Sequence, residues 1–429
     1  MVVQAIGDET MPTDVVTAPN CDDEFDPTLL PVDEALGKIT RAIAPLTTVE
    51  QLPLRTALGR ILASDLHAPA DVPNHTNSAM DGYALRAADL EQGNPLTVVG
   101  TAWAGKPHVG AVASGQCVRI MTGAVMPEHA DTVVMQEQVE LLDDHIRVAP
   151  GQKTGQHVRH AGEDLAAGEL ALRAGQRLAP AALGLIASLG IAEVPVFRRP
   201  RVAFFSNGDE LRSIGQPLNP GEVYDSNRYT LHGLLQRAGM DIVDLGVVAD
   251  DRAQIRAAFL SAANSADVLI TSAGASVGDA DFIKDILDEV GEVSFWKIAM
   301  KPGRPLAFGR VGDALFFGLP GNPVSVMVTF YQFVLPALRR LSGEAPVMSL
   351  RLTVRTTNRV KKQPGRTEFQ RGVLTQTPAG ELEVSVTGEQ GSGILSSMSE
   401  ANCFILLSAD CDGVAPGQSV LVEPFAGLI

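Results

Sequence analysis

The first 26 residues of this 429-residue chain contain no Lys or Arg, yet they carry seven Asp and Glu. A secretory signal needs a basic start and an apolar core, so that class is excluded and the expected compartment is the cytoplasm. Residues 1–27 show no apolar periodicity and are expected to form an acidic tail outside the packed fold. No run approaches the roughly 20 apolar residues that cross a bilayer, so the membrane is not an expected partner.

Cysteine is scarce as well. Cys21, Cys117, Cys403 and Cys411 are the four in the chain, and no two have C-x-x-C spacing. That excludes a disulfide scaffold and leaves them as inert thiols. His157 and His160 form an H-x-x-H pair with no third ligand nearby in sequence, which reads as a surface loop rather than a metal site. Lys and Arg number 34 against 50 acids, a formal charge of −16. Polyanions are drawn to basic surface, so nucleic acid is not an expected partner either. Local basic turns can still hold a small anion.

What remains is ordinary globular composition, 45% hydrophobic and 20% charged. The length allows about three domains at roughly 150 residues each. PVDEALGKITRAI, from Pro31, places Leu36, Ile39 and Ile43 at helical spacing. Between Asp71 and Asp164 short β-branched runs alternate with glycines, and Pro180 to Leu189 then reads as a helix stopped by Gly190. From Arg201 strands and helices alternate, which implies a parallel sheet covered by helices, and a long apolar helix begins at Pro323 behind the N-cap Asn322. The end of the chain reads as strands of a small barrel. The expected fold is therefore multidomain α/β plus β: a split platform (28–70 and 165–200), an inserted β-rich domain (71–164), a doubly wound α/β domain with a parallel-type central sheet (201–343) and a C-terminal β-barrel-like domain (344–429).

Ligands of open α/β sheets bind beyond the carboxyl ends of the strands. There the sequence offers Asp209 and Glu210, then Asp250 and Asp251, then a loop with Gly274, Ser276 and Gly278 ending in Asp279 and Asp281. Any one of these acids is explained as a helix cap. Three acidic turns on one edge, with a glycine loop, point to a phosphate and a divalent cation. The loop matches neither a P-loop nor a dinucleotide fingerprint. WKIAMKPGRP adds Lys297, Lys301 and Arg304 around a Pro-Gly turn, an expected anion site.

NSAMDGYAL, RIMTGAVMP, GDEL, SVGDADF, WKIAMKPGRP, FGLPGNPVS, FQRGVL and GSGILSSMSEANCFILL follow one another in order. In these motifs, from about Pro31 to the end, the chain resembles the molybdopterin molybdenumtransferase family, which includes MoeA and the gephyrin E domain. The resemblance implies a homodimeric transferase that inserts molybdate into adenylylated molybdopterin and releases AMP with Mg²⁺. It implies Asp250 and Asp281 as metal ligands, with Glu210 nearby. Gly274, Ser276, Gly278, Lys297, Lys301, Arg304, Pro320, Pro323, Arg371 and Ser392 are implied around the anionic substrate. Asp81, Thr122 and Asp164 would complete the cleft from a partner subunit. A molybdopterin adenylyltransferase and apo-molybdoenzymes are the further partners implied.

The sequence departs from the family pattern in reading SAGAS at Ala273, Arg304 where Lys is common, and Gly393 where His is frequent. Two alternatives stay open, a molybdopterin adenylyltransferase and a non-catalytic dimeric scaffold.

Overall fold

The computed structural model describes residues 29–91, 93–273 and 282–425. The expected acidic tail and Cys21 lie outside them. The described chain forms two compact units, one of residues 44–199 and 339–347 and the other of residues 29–43, 200–338 and 348–425.

Helix α1 (Val32–Arg41) opens the latter unit, burying Ala35 and Ile39, with Asp33 and Glu34 in its first turn and Lys38 and Arg41 in its last. That charge order complements the helix dipole. The other unit is β-rich. Strands β1 (Gly82–Leu85), β2 (Leu96–Ala102), β3 (Gln116–Ile120), β4 (Thr132–Met135), β5 (Val139–Leu142) and β6 (His145–Val148) make one sheet in the order β4-β1-β3-β2-β6-β5. Helix α2 (Pro180–Ser188) has Pro at its start and Gly190 at φ 73° just beyond its end. Only a left-handed residue closes a helix that way at little strain, so its boundaries were readable.

In the α/β region β7 (Arg201–Asn207), α3 (Ser226–Ala238), β8 (Asp241–Val248), α4 (Arg252–Ser265), β9 (Val268–Ser272) and α5 (Phe282–Val290) alternate as expected. They are followed by β10 (Gly291–Lys297), the two-residue β11 (Met300–Lys301), β12 (Pro305–Val311) and β13 (Ala314–Leu319). The sheet order is β8-β7-β9-β13-β12-β10. The first four strands are parallel, whereas β12 runs antiparallel to both of its neighbours, β13 and β10. The expected parallel-type sheet is thus parallel over four strands and mixed toward one edge, for a simple reason. Parallel neighbours need a long crossover, and β10, β12 and β13 are joined by short turns. Val202 to Phe205 and all of β9 are buried, the signature of strands covered on both faces. Phe205 and Phe316 both pack edge-on against Phe259 of α4, centroids 5.4 and 5.5 Å away.

The helix expected from Pro323 is interrupted. It runs as α6 (Pro323–Thr329), a π turn (Phe330–Val334) and α7 (Leu335–Leu341), and Asn322 stands at the cap position without a side-chain cap bond. The Thr329 hydroxyl bonds back to the Ser325 and Val326 carbonyls just before the break. Beyond it, β14 (Leu352–Thr356), β15 (Thr367–Gln376), β16 (Leu382–Val386), the short α8 (Leu395–Glu400), β17 (Cys403–Leu407) and β18 (Ser419–Pro424) complete the described chain. The pairings β15-β16-β14-β18-β17 return to β15, a closed five-strand barrel around Val354, Val384, Ile405 and Val422.

Candidate functional site

Because β8, β7, β9 and β13 are parallel, their carboxyl ends share one edge of the sheet. Asp209 and Glu210 follow β7, and Asp250 and Asp251 follow β8. The two turns touch, since the Asp250 N–H donates to Asp209 Oδ1 at 3.2 Å. Asp251 serves as a helix cap, accepting from the Gln254 N–H at 2.9 Å. Glu210 folds its carboxylate over Gly208, where φ is 150° and a Cβ would stand 2.5 Å from Glu210 Oε2. Glu210 and Asp250 remain exposed, which suits oxygen ligands for a hydrated cation.

The antiparallel strands deliver the basic turn to the same edge. Register pairs Ala307 with Gly318 near the end of β13, and Lys297 with Pro305. The 298–304 turn therefore projects where the parallel strands finish. Inside it the Ile298 N–H donates to the Arg304 carbonyl at 2.7 Å. Lys297 is exposed, and Lys301 keeps its side chain 47% exposed while its amine stands 3.8 Å from Glu368 Oε1.

The loop after β13 completes this edge. Pro320 is buried and Pro323 occupies the first turn of α6, whose Val324 N–H donates to the Ser392 carbonyl at 3.1 Å. Arg371 is placed differently from expectation. It is 1% exposed, and its guanidinium donates to Ser397 Oγ (3.0 Å) and to the Gly391 (3.0 Å) and Glu389 (3.4 Å) carbonyls. Burial lowers its pKa to about 10, so it stays charged at neutral pH. It holds the segment leading to Ser392 rather than facing a ligand.

Glu210, Asp250, Lys297, Lys301, Arg304, Pro320, Pro323 and Ser392 thus belong to one edge. Gly274, Ser276, Gly278 and Asp281 lie outside the described residues. Among the described residues no three His, Cys, Asp or Glu side chains cluster as a metal site. The carboxylates present fit Mg²⁺ in its usual manner, in which one or two carboxylates share it with substrate phosphates.

Two residues went unnoticed in the sequence. Asp225 caps α3 by accepting from the Arg228 N–H (3.1 Å), yet it is 2% exposed and its second oxygen, Oδ2, has no hydrogen-bond partner among the described residues. Asn227 donates Nδ2 to the Gly321 carbonyl at 2.7 Å, pinning the β13–α6 loop, and its buried Oδ1 is also unmatched. The carbonyl partner fixes which way the amide faces. Two acceptors without a partner among the described residues therefore sit at this end of α3. An Asp before a helix is fully explained as a cap, so nothing in the residue pattern marks a second role for it.

The β-rich unit carries a second constellation. The backbone N–H of Thr122, then its hydroxyl, then the charge of Arg119 draw the Asp81 carboxyl below its ordinary pKa. Arg119 lies 5.0 Å over the Tyr83 ring and bonds both the Tyr83 hydroxyl and Gln136. The Gln136 N–H donates to the Asp81 carbonyl. Asp164 is exposed in a separate turn, its N–H on the Val72 carbonyl.

Three family descriptions match in succession: MoeA N-terminal region (domain I and II) over residues 30–190, probable molybdopterin binding domain over 203–340, and MoeA C-terminal region (domain IV) over 353–425. The chain is similar to the molybdopterin molybdenumtransferase of Haemophilus influenzae, 44% identical over 403 residues, 94% of this chain and 100% of that one. It is 36% identical to the molybdopterin molybdenumtransferase of a Nostoc species, over 87% of this chain and 88% of that one. Among solved structures it resembles the molybdopterin biosynthesis moeA protein of Pyrococcus horikoshii, with 30% identity, TM-score 0.81, and coverage of 92% of this chain and 100% of that one.

Proposed function

The chain belongs to the molybdopterin molybdenumtransferase family, a family of transferases in molybdenum cofactor biosynthesis, and from that premise we propose that it inserts molybdate into adenylylated molybdopterin with release of AMP. The observation that carries the site assignment is the shared edge, where exposed Glu210 and Asp250 face the same side of the sheet as Lys297, Lys301 and Arg304. Carboxylates and ammonium groups on one edge can serve a phosphate with its cation and an oxyanion together.

In this reading Lys301 and Arg304 attract molybdate, and Lys297 supports them by charge. Asp250, with Asp281, would hold Mg²⁺, and the ion would supply charge neutralisation to the phosphates. Ser392 and the Pro320–Pro323 loop shape the wall of the cleft. The dithiolene sulfurs belong to the substrate, so no side chain is needed as nucleophile. The protein contributes position and charge balance.

Asp225 Oδ2 and Asn227 Oδ1 are assigned to the pterin. The 2-amino and N3–H edge of a pterin presents adjacent donors, which is what two unmatched acceptors require. Asn227 turns its amide nitrogen toward the Gly321 carbonyl, which leaves Oδ1 as the amide atom without a partner among the described residues. Adenine, whose amino group is flanked by ring acceptors, matches it less well.

The test is AMP release from adenylylated molybdopterin by the purified protein, with molybdate and Mg²⁺ each present or withheld, followed by reconstitution of an apo-molybdoenzyme. Release and reconstitution that require molybdate support the reading. Formation of adenylylated molybdopterin from ATP would replace it with the adenylyltransferase.

A further inference from the structure

The chain enters the described fold directly against the basic turn. The Leu30 N–H donates to the Lys297 carbonyl and the Ala299 N–H donates to the Leu30 carbonyl, both at 2.8 Å, and Leu30 pairs with Ile298. Ile298 in turn bonds Arg304 across the turn. Immediately upstream stand Asp22, Asp23, Glu24 and Asp26, preceded by Asp8, Glu9 and Asp14, with no Lys, Arg or His in the first 28 residues. We propose that the turn bearing Lys297, Lys301 and Arg304 is the docking surface of the chain's own acidic N-terminal segment, residues 22–26, which occupies it as an anion in place of substrate.

Reach and charge both favour this occupant. Asp26 stands four positions before Leu30 and Asp22 eight positions before it. At about 3.5 Å per residue those spans extend at most roughly 14 and 28 Å, enough to fold back onto a turn bonded to Leu30 itself. So short a tether gives an effective concentration of about millimolar, and the attraction acts within a Debye length of about 8 Å at physiological salt. The chain carries a net charge of −16, so a turn with three cations is a local exception to the prevailing sign. The family description that matches the N-terminal region begins at residue 30, after the acidic segment.

The consequence is competition. Carboxylates on the turn raise the concentration of molybdate or adenylylated substrate needed to occupy it, and salt weakens both the tail and the substrate. This competition rests on the anion-site reading above, whereas the docking itself does not.

Cys21 lies one residue from the acidic cluster and gives the experiment its handle. The full chain, carrying C411S to silence the partly exposed thiol, is treated with a short thiol–amine cross-linker and the joined lysine identified by mass spectrometry. Expected are cross-links to Lys297 and Lys301 within one chain that fall at least about five-fold in about 0.5 M NaCl. They fall equally in the variant D22N/D23N/E24Q/D26N, whose tether is unchanged. Cross-links that ignore neutralisation, favour other lysines, or join two chains would overturn the proposal. In a second measurement, inorganic molybdate binds the neutralised variant about three- to ten-fold more tightly than the parent at low salt and equally at high salt. Cross-linking as expected with no change in molybdate affinity would keep the docking and remove the anion-site reading of the turn.

Discussion

Thr122 gives both of its donors to a single oxygen of Asp81: the backbone N–H and the hydroxyl each reach Oδ1 at 2.8 Å. The carboxyl titrates below its ordinary 3.8 because these bonds favour the charged form. Thr122→Val removes one of the two, so the Asp81 midpoint followed by NMR rises toward 3.8 without reaching it. A depressed carboxyl contributes stability that is present above its unfolded value and lost as pH falls through its folded value. The stability gap between parent and variant is therefore full at neutral pH and closes in acid below 3.8. A gap that widens in acid would contradict the assignment.

Arg371 supplies donors to Ser397 and two carbonyls from a fully buried position. Arg371→Met strands those acceptors, and a loss of about 2–4 kcal/mol in urea unfolding is expected. Arg371→Lys recovers less than half of it, since one ammonium lacks the planar fork that spans the three partners. Full rescue by Lys would show that charge alone matters there.

Asp225→Asn separates capping from recognition. Asn caps helices as well as Asp does, so stability should change by less than about 0.5 kcal/mol. The weaker, uncharged acceptor lowers affinity for the pterin substrate about ten-fold, close to the value of one charged hydrogen bond. Asp225→Ala loses both and costs about 1 kcal/mol of stability as well. Unchanged substrate binding in both variants would return Asp225 to a structural cap.

Ala273 follows β9 with φ at 73°, a left-handed conformation that a methyl group resists. Glycine, the residue expected there from the family pattern, relieves about 1–2 kcal/mol of strain but gives back about 0.4–1 kcal/mol through its freer unfolded chain. Ala273→Gly should thus stabilise by about 0.5–1 kcal/mol in thermal or chemical unfolding. Destabilisation would mean that the methyl contributes contacts, for instance toward Gly321, where an added side chain would meet it at 3.9 Å.

Burial raises the thiol pKa of Cys117 to about 12 and of Cys403 to about 11. Thiolate is the reactive form, so neither should take up iodoacetamide at pH 8 until the chain unfolds. Cys411, partly exposed, should label in the native protein. Native labelling of Cys403 would reveal opening of the barrel.

The architecture was legible wherever periodicity and punctuation agreed. Helices α1 to α5 were placed by apolar spacing and by residues such as Asp251 and Gly190 that start or stop them. The acidic edge followed from the contiguous apolar strands, since burial on both faces dictates a sheet whose carboxyl ends align. What escaped depends on distant neighbours. An Arg is expected at the surface, so the burial of Arg371 beneath the 389–391 segment could not be read from FQRGVL. Nor could the spare oxygen of Asp225, which is a property of what does not surround it. The antiparallel edge was in principle visible, because the Gly312–Asp313 connection between β12 and β13 is too short for a crossover.

Strand β11 has a consequence for how the protein comes apart. It lies in sequence between two strands of the α/β sheet, yet it pairs with β15 of the barrel, Met300 opposite Thr367 and Lys301 opposite Glu368. The barrel therefore borrows an outer strand from the middle of its neighbour, and neither can unravel without disturbing the other. The two should melt as one cooperative unit, with amides of β11 and β15 exchanging hydrogen at the rate of the whole rather than of a fraying rim. Shortening the chain could not discard the barrel as a detachable module, because Lys301 would lose its footing with it.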